Sequence, residues 1–437
     1  MTLLHIEGFD VIDSTAKSAL VGIDMSHQAS NANAGHGTLT TFDVTGRYTG
    51  STCLQLAYEK CTVGDEDEEA GTQEVDGNIG TWSRIPFAEQ QTLGSFTFGF
   101  AFKTTDVSGG SDDRCIASIN DSDGKPLLLL AYNTSGYIKA FLFNNTNANY
   151  ANTYRASKAS SPSSATVSTH HTNEQRNFIQ DEYVNAGGST TDHSPLGTGS
   201  TQLAADTWYT IECQVVENSS KNYSVEVRVN DTVEIDSDNN AVSNNQCANL
   251  HEVIFIAARL ADHALSSSQE DLEYTHCFDD FYFLDDAGSN NTSFLGSDMR
   301  VQGLPLGAAG TAFTQNFSVS TGSVSGNLSD FNTSTVATLT NPGTGIFDVA
   351  NPETVKTGNG IRYIATAKYS AGATDLEFFT RTNSENHAVS GAIHEGSPIA
   401  LTSSFNTYQE IQEKNPATSA NYNEAELDAI QIGLRAS

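Results

Sequence analysis

Alternation of apolar and polar residues dominates the chain and is typical of β-strands. In the segment SFTFGFAFK, Phe96, Phe98, Phe100 and Phe102 fall on one side, while small and polar residues fall on the other. Successive side chains of a strand point to opposite faces of its sheet, so these four rings require a second sheet to cover them. The pattern therefore predicts a β-sandwich.

A second stretch, YSVEVRVNDTVEID, predicts a hairpin. Alternate residues over 223–229 are apolar and should point inward, and Asn230 and Asp231 should form a tight turn. Val233 and Ile235 are then expected to return inward on the partner strand.

Helical signals are scarce, and the clearest one lies near the end of the chain. In NEAELDAI, Asn423 can cap the helix and Glu426, at the third helical position, can close a capping box. We therefore expect an all-β protein with one short helix.

The length of 437 residues predicts two domains. A composition shift at AGSNNTSFLGSDMR marks the expected boundary. We predict a β-sandwich over residues 1–287, a linker at 288–295, and a smaller β-rich domain over 296–437 that serves docking or oligomerisation. A polar stretch from about 150 to 205 interrupts the sandwich, and an insertion of that length is usually functional or mobile.

The chain is strongly acidic, with 53 acidic and 21 basic residues and a net charge of −32. Binding to phosphates requires clustered Lys and Arg, so this balance excludes nucleic acid and anionic membranes as expected partners. The sequence also has no run of 18 apolar residues and no signal-peptide pattern at its start.

Six cysteines are present without a CxxC pair or a metal-ligand spacing. In a protein made in the cytoplasm we expect mostly free thiols. Cys213 alternates with polar neighbours on a predicted strand, and we expect it to behave as a small core residue.

Five segments carry a resemblance to a known fold: LLHIEGFD, GRYTGSTCLQL, SFTFGFAFK, TWYTIECQVVENSSKNYSVEVRVND and CFDDFYFLDD. They resemble strands of the LamG-like, concanavalin-A-like jelly rolls of tailed phages, which implies a concanavalin-A-like jelly-roll sandwich built from these segments. The last of these resembles the closing strand of that fold, which pairs with the first, so we expect residues 3–9 to lie antiparallel to residues 278–284. DDAGSNNTSFLGSDMRVQGLPL is similar to a linker in marine tailed-phage structural proteins, and the chain's ending resembles theirs, with Tyr422 where Trp is more usual.

The resemblance implies a non-enzymatic structural component of a tailed-phage virion, associated with its tail, fibre or capsid as a decoration protein. It also implies a virion location, contacts with other virion proteins and a homo-oligomer. The alternative is a carbohydrate-binding, receptor-recognition protein of a tail fibre that grips a host surface glycan.

Catalytic carboxylates are weakly indicated. Concanavalin-A-like glycosidases carry acidic residues at alternate positions of one strand. The nearest match, EIDSD, offers Glu234, Asp236 and Asp238 but lacks the last glutamate. We therefore predict no enzymatic activity.

Two further sites are candidates for binding. Trp208 lies on the strand face opposite Tyr209, and it serves either as an exposed ligand platform or in sandwich packing. Asp65, Asp67 and Glu69, in the run DEDEE, offer the oxygen ligands that Ca²⁺ prefers. Because no loop motif organises them, a solvated charged loop is the competing interpretation, and no other cofactor is expected.

Overall fold

We describe a computed structural model of the chain. The residues described are 2–10, 40–63, 75–79, 81–92, 94–108, 113–120, 126–143, 193–219, 222–241, 249–260, 273–285, 288–304, 306, 313–319, 322–324, 328, 336–349, 357–370, 375–381 and 393–436. Over these residues the fold consists of strands and one short helix, which confirms the predicted all-β class.

Nine strands form the first sheet, called the large sheet below, and its central order is β13-β12-β11-β6-β15-β3-β2. β1 pairs with β15, and β4 pairs with β3. The strands are β1 (Thr2–Glu7), β2 (Thr40–Thr45), β3 (Thr52–Val63), β4 (Val75–Ile79), β6 (Phe96–Thr104), β11 (Tyr209–Ser219), β12 (Asn222–Val229), β13 (Thr232–Ala241) and β15 (Tyr274–Asp285).

Six strands form the second sheet, called the small sheet, in the order β10-β9-β8-β7-β14-β5. They are β5 (Thr81–Thr92), β7 (Asp113–Asn120), β8 (Pro126–Tyr132), β9 (Tyr137–Phe143), β10 (His193–Gln202) and β14 (Asn249–Leu260). All pairings in both sheets are antiparallel, as in a jelly roll.

The sandwich core lies between the two sheets and contains the four phenylalanines of β6. Each of these rings is at most 1% exposed. Phe100 meets Phe255 of the small sheet edge to face, with ring centroids 5.3 Å apart. The predicted covering sheet therefore exists, and the aromatic face of β6 packs against it.

The pairing of the first strand with the closing strand is confirmed. β1 lies antiparallel to β15, with Leu3 opposite Leu284, Ile6 opposite Tyr282 and Glu7 opposite Phe281. This contact joins segments almost 280 residues apart, so it fixes the sandwich as one unit.

The predicted hairpin between β12 and β13 is also present, with one correction. Asn230 and Asp231 have φ values of 47° and 65°, as a two-residue type I′ turn requires. The prediction that Val233 points inward is wrong, because this side chain is 47% exposed. A bulge in β13 pairs Ile235 with Val227 but Val233 with Arg228. The side chains of Val233 and Ile235 therefore point to opposite faces of the sheet.

The C-terminal part contains a sheet ordered β16-β17-β23-β19-β20, with β21 paired to β19, and a separate β18–β22 ribbon. Its elements are β16 (Phe313–Val319), β17 (Ala337–Asp348), β18 (Ile361–Ala367), β19 (Asp375–Arg381), β20 (Ile393–Glu395), β21 (Ile399–Ala400), β22 (Asn406–Gln412), α1 (Glu424–Asp428) and β23 (Gln431–Ala436). The predicted capping box of α1 is confirmed, since Asn423 and Glu426 each accept the other's backbone N–H. The domain limits at 287 and 296 stay predictions.

None of the helices in the described ranges is long and apolar enough to cross a membrane.

Within the described ranges, four cysteines are free thiols with buried side chains: Cys53, Cys115, Cys213 and Cys277. Cys213 lies in the sandwich core, as predicted. We expect alkylation of the denatured, unreduced protein, followed by peptide mass analysis, to label all four. In the native protein Cys115 and Cys213 should react far more slowly, because burial raises the pKa of these two thiols. Recovery of any of the four in a disulfide from freshly prepared protein would contradict this expectation.

Candidate functional site

Trp208 is placed by a tight turn that joins β10 to β11. The backbone N–H of Leu203 donates to the carbonyl of Gly136 at 2.9 Å, and that of Asp206 donates to the carbonyl of Thr104 at 2.8 Å. The Ala204 N–H donates to the Tyr209 hydroxyl at 2.9 Å. These bonds fix the turn against the end of β6 and so fix the position of the following tryptophan.

Trp208 lies on the outer face of the large sheet and is half-buried. Tyr209 is paired with Phe102, which places Trp208 level with Lys103 on the neighbouring strand. The Lys103 ammonium lies over the indole ring, 5.0 Å from its centroid. This is a cation–π contact, and it covers one face of the ring.

The row continues across the sheet. Cys277 of β15 is opposite Lys103 on one side and opposite Gln55 of β3 on the other. We call Trp208, Lys103, Cys277 and Gln55 the Trp208 row. It combines an aromatic ring, a cation and an amide on one sheet face.

The chemistry of Cys277 depends on its neighbours in and beside the row. A hydrogen bond with Cys53 and the positive charge of Lys103 lower the pKa of the Cys277 thiol, while burial and the charge of Asp206 oppose them. The pKa of Cys53 is raised by its interaction with Cys277 and by burial. Cys277 lies beside Lys103 on the neighbouring strand, and Cys53 of β3 lies next to Cys277.

Residues 294–303, which we call the crossing segment, run over the same sheet face and border the row. Gly296 donates its N–H to Glu212 at 2.9 Å, and the Thr210 hydroxyl donates to the carbonyl of Ser297 at 3.3 Å. Arg47 donates to the same carbonyl at 2.6 Å. The crossing segment therefore forms a wall alongside the row. It contacts β11 at Thr210, which lies two residues after Trp208 in the chain.

Arginines and an aromatic ring lie along this wall. The Tyr48 ring lies 5.2 Å from the Arg47 guanidinium and 4.3 Å from that of Arg300. Arg47 also forms a 3.4 Å ion pair with Asp280. Arg47 and Arg300 therefore flank the Tyr48 ring on this wall, which also contacts Asp231, the acceptor of the Ser297 N–H at 2.9 Å.

Asp279 and Asp280 lie beneath Arg47 at the bulge of β15 and are buried. Burial and mutual repulsion raise the pKa of Asp279, and burial raises that of Asp280. Their oxygens accept backbone N–H groups from Arg47, Asp280 and Val301. Over the described ranges, no group of three or more His, Cys, Asp or Glu side chains is arranged to hold a metal ion.

Glu234, the first residue of the acidic EIDSD strand, anchors the edge of the sandwich. It accepts the backbone N–H of Thr201 at 2.9 Å and hydrogen bonds from Ser200. Burial raises its pKa, but these hydrogen bonds outweigh that effect and lower the pKa overall. Asp236 and Asp238 are exposed. The strand thus has a structural task at Glu234.

Of the residues predicted to bind ligands, only Trp208 lies in the described part of the chain. Asp65, Asp67 and Glu69 lie outside the described residues, so the Ca²⁺ site stays a prediction. Sequence reasoning missed Lys103, although the alternation of β6 already placed it on the face opposite the phenylalanines.

No protein-family model and no curated protein matches the sequence. Among solved structures, the chain is similar to a marine PL-14 alginate lyase from Aplysia kurodai, with 13% identity and a TM-score of 0.38, over 65% of this chain and 99% of the lyase. It is also similar to an endo-β-1,4-glucuronan lyase from Trichoderma reesei, with 11% identity and a TM-score of 0.34, over 60% of this chain and 94% of the other. At this level the likeness is one of fold alone, between β-sandwiches.

These matches correct two predictions. Several of the similar structures are polysaccharide lyases, and another comes from work on endo-acting O-glycanases of the human gut microbiota. The predictions of a non-enzymatic virion component and of no enzymatic activity are contradicted by them. The first prediction came from a resemblance of strand segments, a linker and the chain's ending, which specify a fold and not a site. The second came from the incomplete carboxylate set of EIDSD.

Proposed function

We propose that this chain is a carbohydrate-directed protein whose sandwich holds a glycan chain on the outer face of the large sheet, along the Trp208 row. The observation that carries the proposal is the half-buried Trp208 beside Lys103, in a row that continues over β15 to Gln55 of β3. The crossing segment lies along the same sheet face. Several of the similar structures are lyases or glycanases, and those activities belong to those proteins.

The chemistry of the row fits a sugar ring. The apolar face of a pyranose packs on an aromatic ring, while its hydroxyls need donors and acceptors around the ring's edge. Lys103 supplies donors beside Trp208, while the amide of Gln55, three strands away, would serve as donor and acceptor for a further sugar ring of the same glycan chain. The sheet face is fixed by paired strands, so a ligand would meet preorganised groups.

The test measures binding of soluble polysaccharides by affinity electrophoresis and binding of oligosaccharides by calorimetry. We expect Trp208→Ala to weaken binding at least about tenfold, equivalent to about 1.4 kcal/mol, because the stacking surface is lost. The matched control is Tyr369→Ala, since Tyr369 is a 36% exposed aromatic residue outside the sandwich. Unchanged binding by Trp208→Ala, or an equal loss in the control, would reject the proposal.

A further inference from the structure

Lys103 has no ion-pair partner among the described residues, although carboxylates outnumber cations in this chain by 53 to 21. The Lys103 ammonium makes a cation–π contact with the Trp208 ring, and its charge acts on the buried thiols of Cys53 and Cys277. Ion pairs in the described ranges use other cations, namely Arg47, Arg114, Lys139, Arg228, Arg362 and Arg435.

The surroundings of the Lys103 ammonium leave its donors available. The side chain is partly exposed, and neither an aromatic face nor a thiol is a strong hydrogen-bond acceptor. The nearby acid Asp206 is exposed, and no carboxylate of the described residues lies within 4 Å of the ammonium. A lysine held over an indole keeps three donors for an incoming acceptor.

We propose that the glycan held by the Trp208 row is anionic, and that its carboxylate or sulfate group pairs with Lys103. This inference rests on the proposed function. In the free protein the ammonium covers one face of the indole. An acidic sugar draws it to the anionic group and leaves that face of Trp208 to the sugar ring.

Binding of an acidic sugar replaces the cation–π contact of Lys103, at a partly exposed site, by a charge-assisted hydrogen bond. The new hydrogen bond offsets the loss of the old contact. A neutral sugar offers no such replacement and must compete with the ammonium for the ring. The remaining acidity of the protein does not prevent binding, since exposed charges are screened beyond about 8 Å at physiological salt.

The experiment compares oligosaccharides of uronic acids with the same compounds after reduction of their carboxyl groups to alcohols. Binding is measured by calorimetry at one fixed, near-physiological salt concentration, with the full chain and the variants Lys103→Gln and Lys103→Arg. We expect the wild type to prefer the acidic form at least tenfold, Lys103→Gln to lose that preference, and Lys103→Arg to keep most of it. Lys368→Gln is the matched control, because Lys368 lies over the Phe405 ring at 4.3 Å outside the sandwich.

The outcomes separate this inference from the proposed function. Equal binding of acidic and reduced forms that still depends on Trp208 would overturn the anionic assignment and leave the proposed function standing. Preference for the acidic form that survives in Lys103→Gln would also overturn the role of Lys103. Binding of neither form to the wild type would overturn both proposals. Circular dichroism of each variant checks that the fold is kept.

Discussion

Replacing Arg362 with methionine is expected to lower the free energy of unfolding by about 3–5 kcal/mol, because it leaves a buried carboxylate without its cation. The Arg362 guanidinium forms a 3.0 Å ion pair with Glu7, and both side chains are almost fully buried. The same nitrogen donates to the carbonyl of Ile6 at 2.9 Å and lies 3.2 Å from the ring of His5. One side chain of β18 therefore holds three consecutive residues of β1.

The same arrangement shifts the pKa values of Glu7 and His5. Burial raises the pKa of Glu7, although Arg362 opposes the shift, and burial together with the Arg362 charge lowers the pKa of His5. A neutral His5 can accept the guanidinium hydrogen bond through Nε2. Without the arginine, the Glu7 carboxylate would keep one hydrogen bond to the described residues, from the backbone N–H of Phe9 at 2.9 Å.

The measurement is urea unfolding of the full chain, arranged as a double-mutant cycle. Glu7→Gln combined with Arg362→Met removes both charges and should recover a large part of the loss, since no isolated buried charge remains. An additive double variant would show that the pair has no coupling, and the stability argument would then be wrong.

The sandwich could be predicted from the sequence because its strongest signals are local. Four phenylalanines at alternate positions of β6 require a covering sheet whatever the rest of the chain does. The bulge that exposes Val233 could not be predicted, since a bulge depends on how β13 meets its partner β12 and not on the residues of β13 alone.

The candidate site divides in the same way. Trp208 was identified because it alternates with Tyr209, but its contact with Lys103 depends on the pairing of β11 with β6, about a hundred residues apart. The crossing segment was expected only as a linker. Its hydrogen bonds to Glu212 and Thr210 require the folded sheet, so composition alone gives no sign of the wall that it forms.

A buried polar network at one end of the sandwich was also missed, because its members come from several strands. His276 is fully buried, and its Nδ1–H donates to the carbonyl of Ile256 at 2.8 Å. Its Nε2 lies 3.1 Å from the Tyr132 hydroxyl, which can donate to it. Arg114 stacks on Tyr132, with its guanidinium carbon 5.5 Å from the ring centroid. Both nitrogens of a neutral His276 are therefore satisfied, and burial together with the nearby Arg114 charge disfavours the protonated ring.

This network predicts an acid-sensitive fold. Burial, with a smaller contribution from Arg114, lowers the pKa of His276 to about 3. An unfolded histidine titrates near pH 6.5, so below about that pH the unfolded state binds a proton that the folded state refuses. Stability from this residue is full above about pH 6.5 and falls by about 1.4 kcal/mol per pH unit as pH decreases toward about 3.

The measurement is the free energy of unfolding in urea from about pH 8 to about pH 4, for the wild type and His276→Gln. Glutamine keeps a donor and an acceptor but cannot take the proton, so the variant should lose about one proton of the pH dependence below about pH 6.5. Between about pH 7.5 and pH 8 the imidazole is neutral in both states, and the two curves should there differ by a constant. Carboxylates such as Asp279, whose raised pKa acts in the opposite direction, are common to both proteins and cancel in the comparison. Parallel curves over the whole range would mean that His276 does not titrate on unfolding, and the prediction would be wrong.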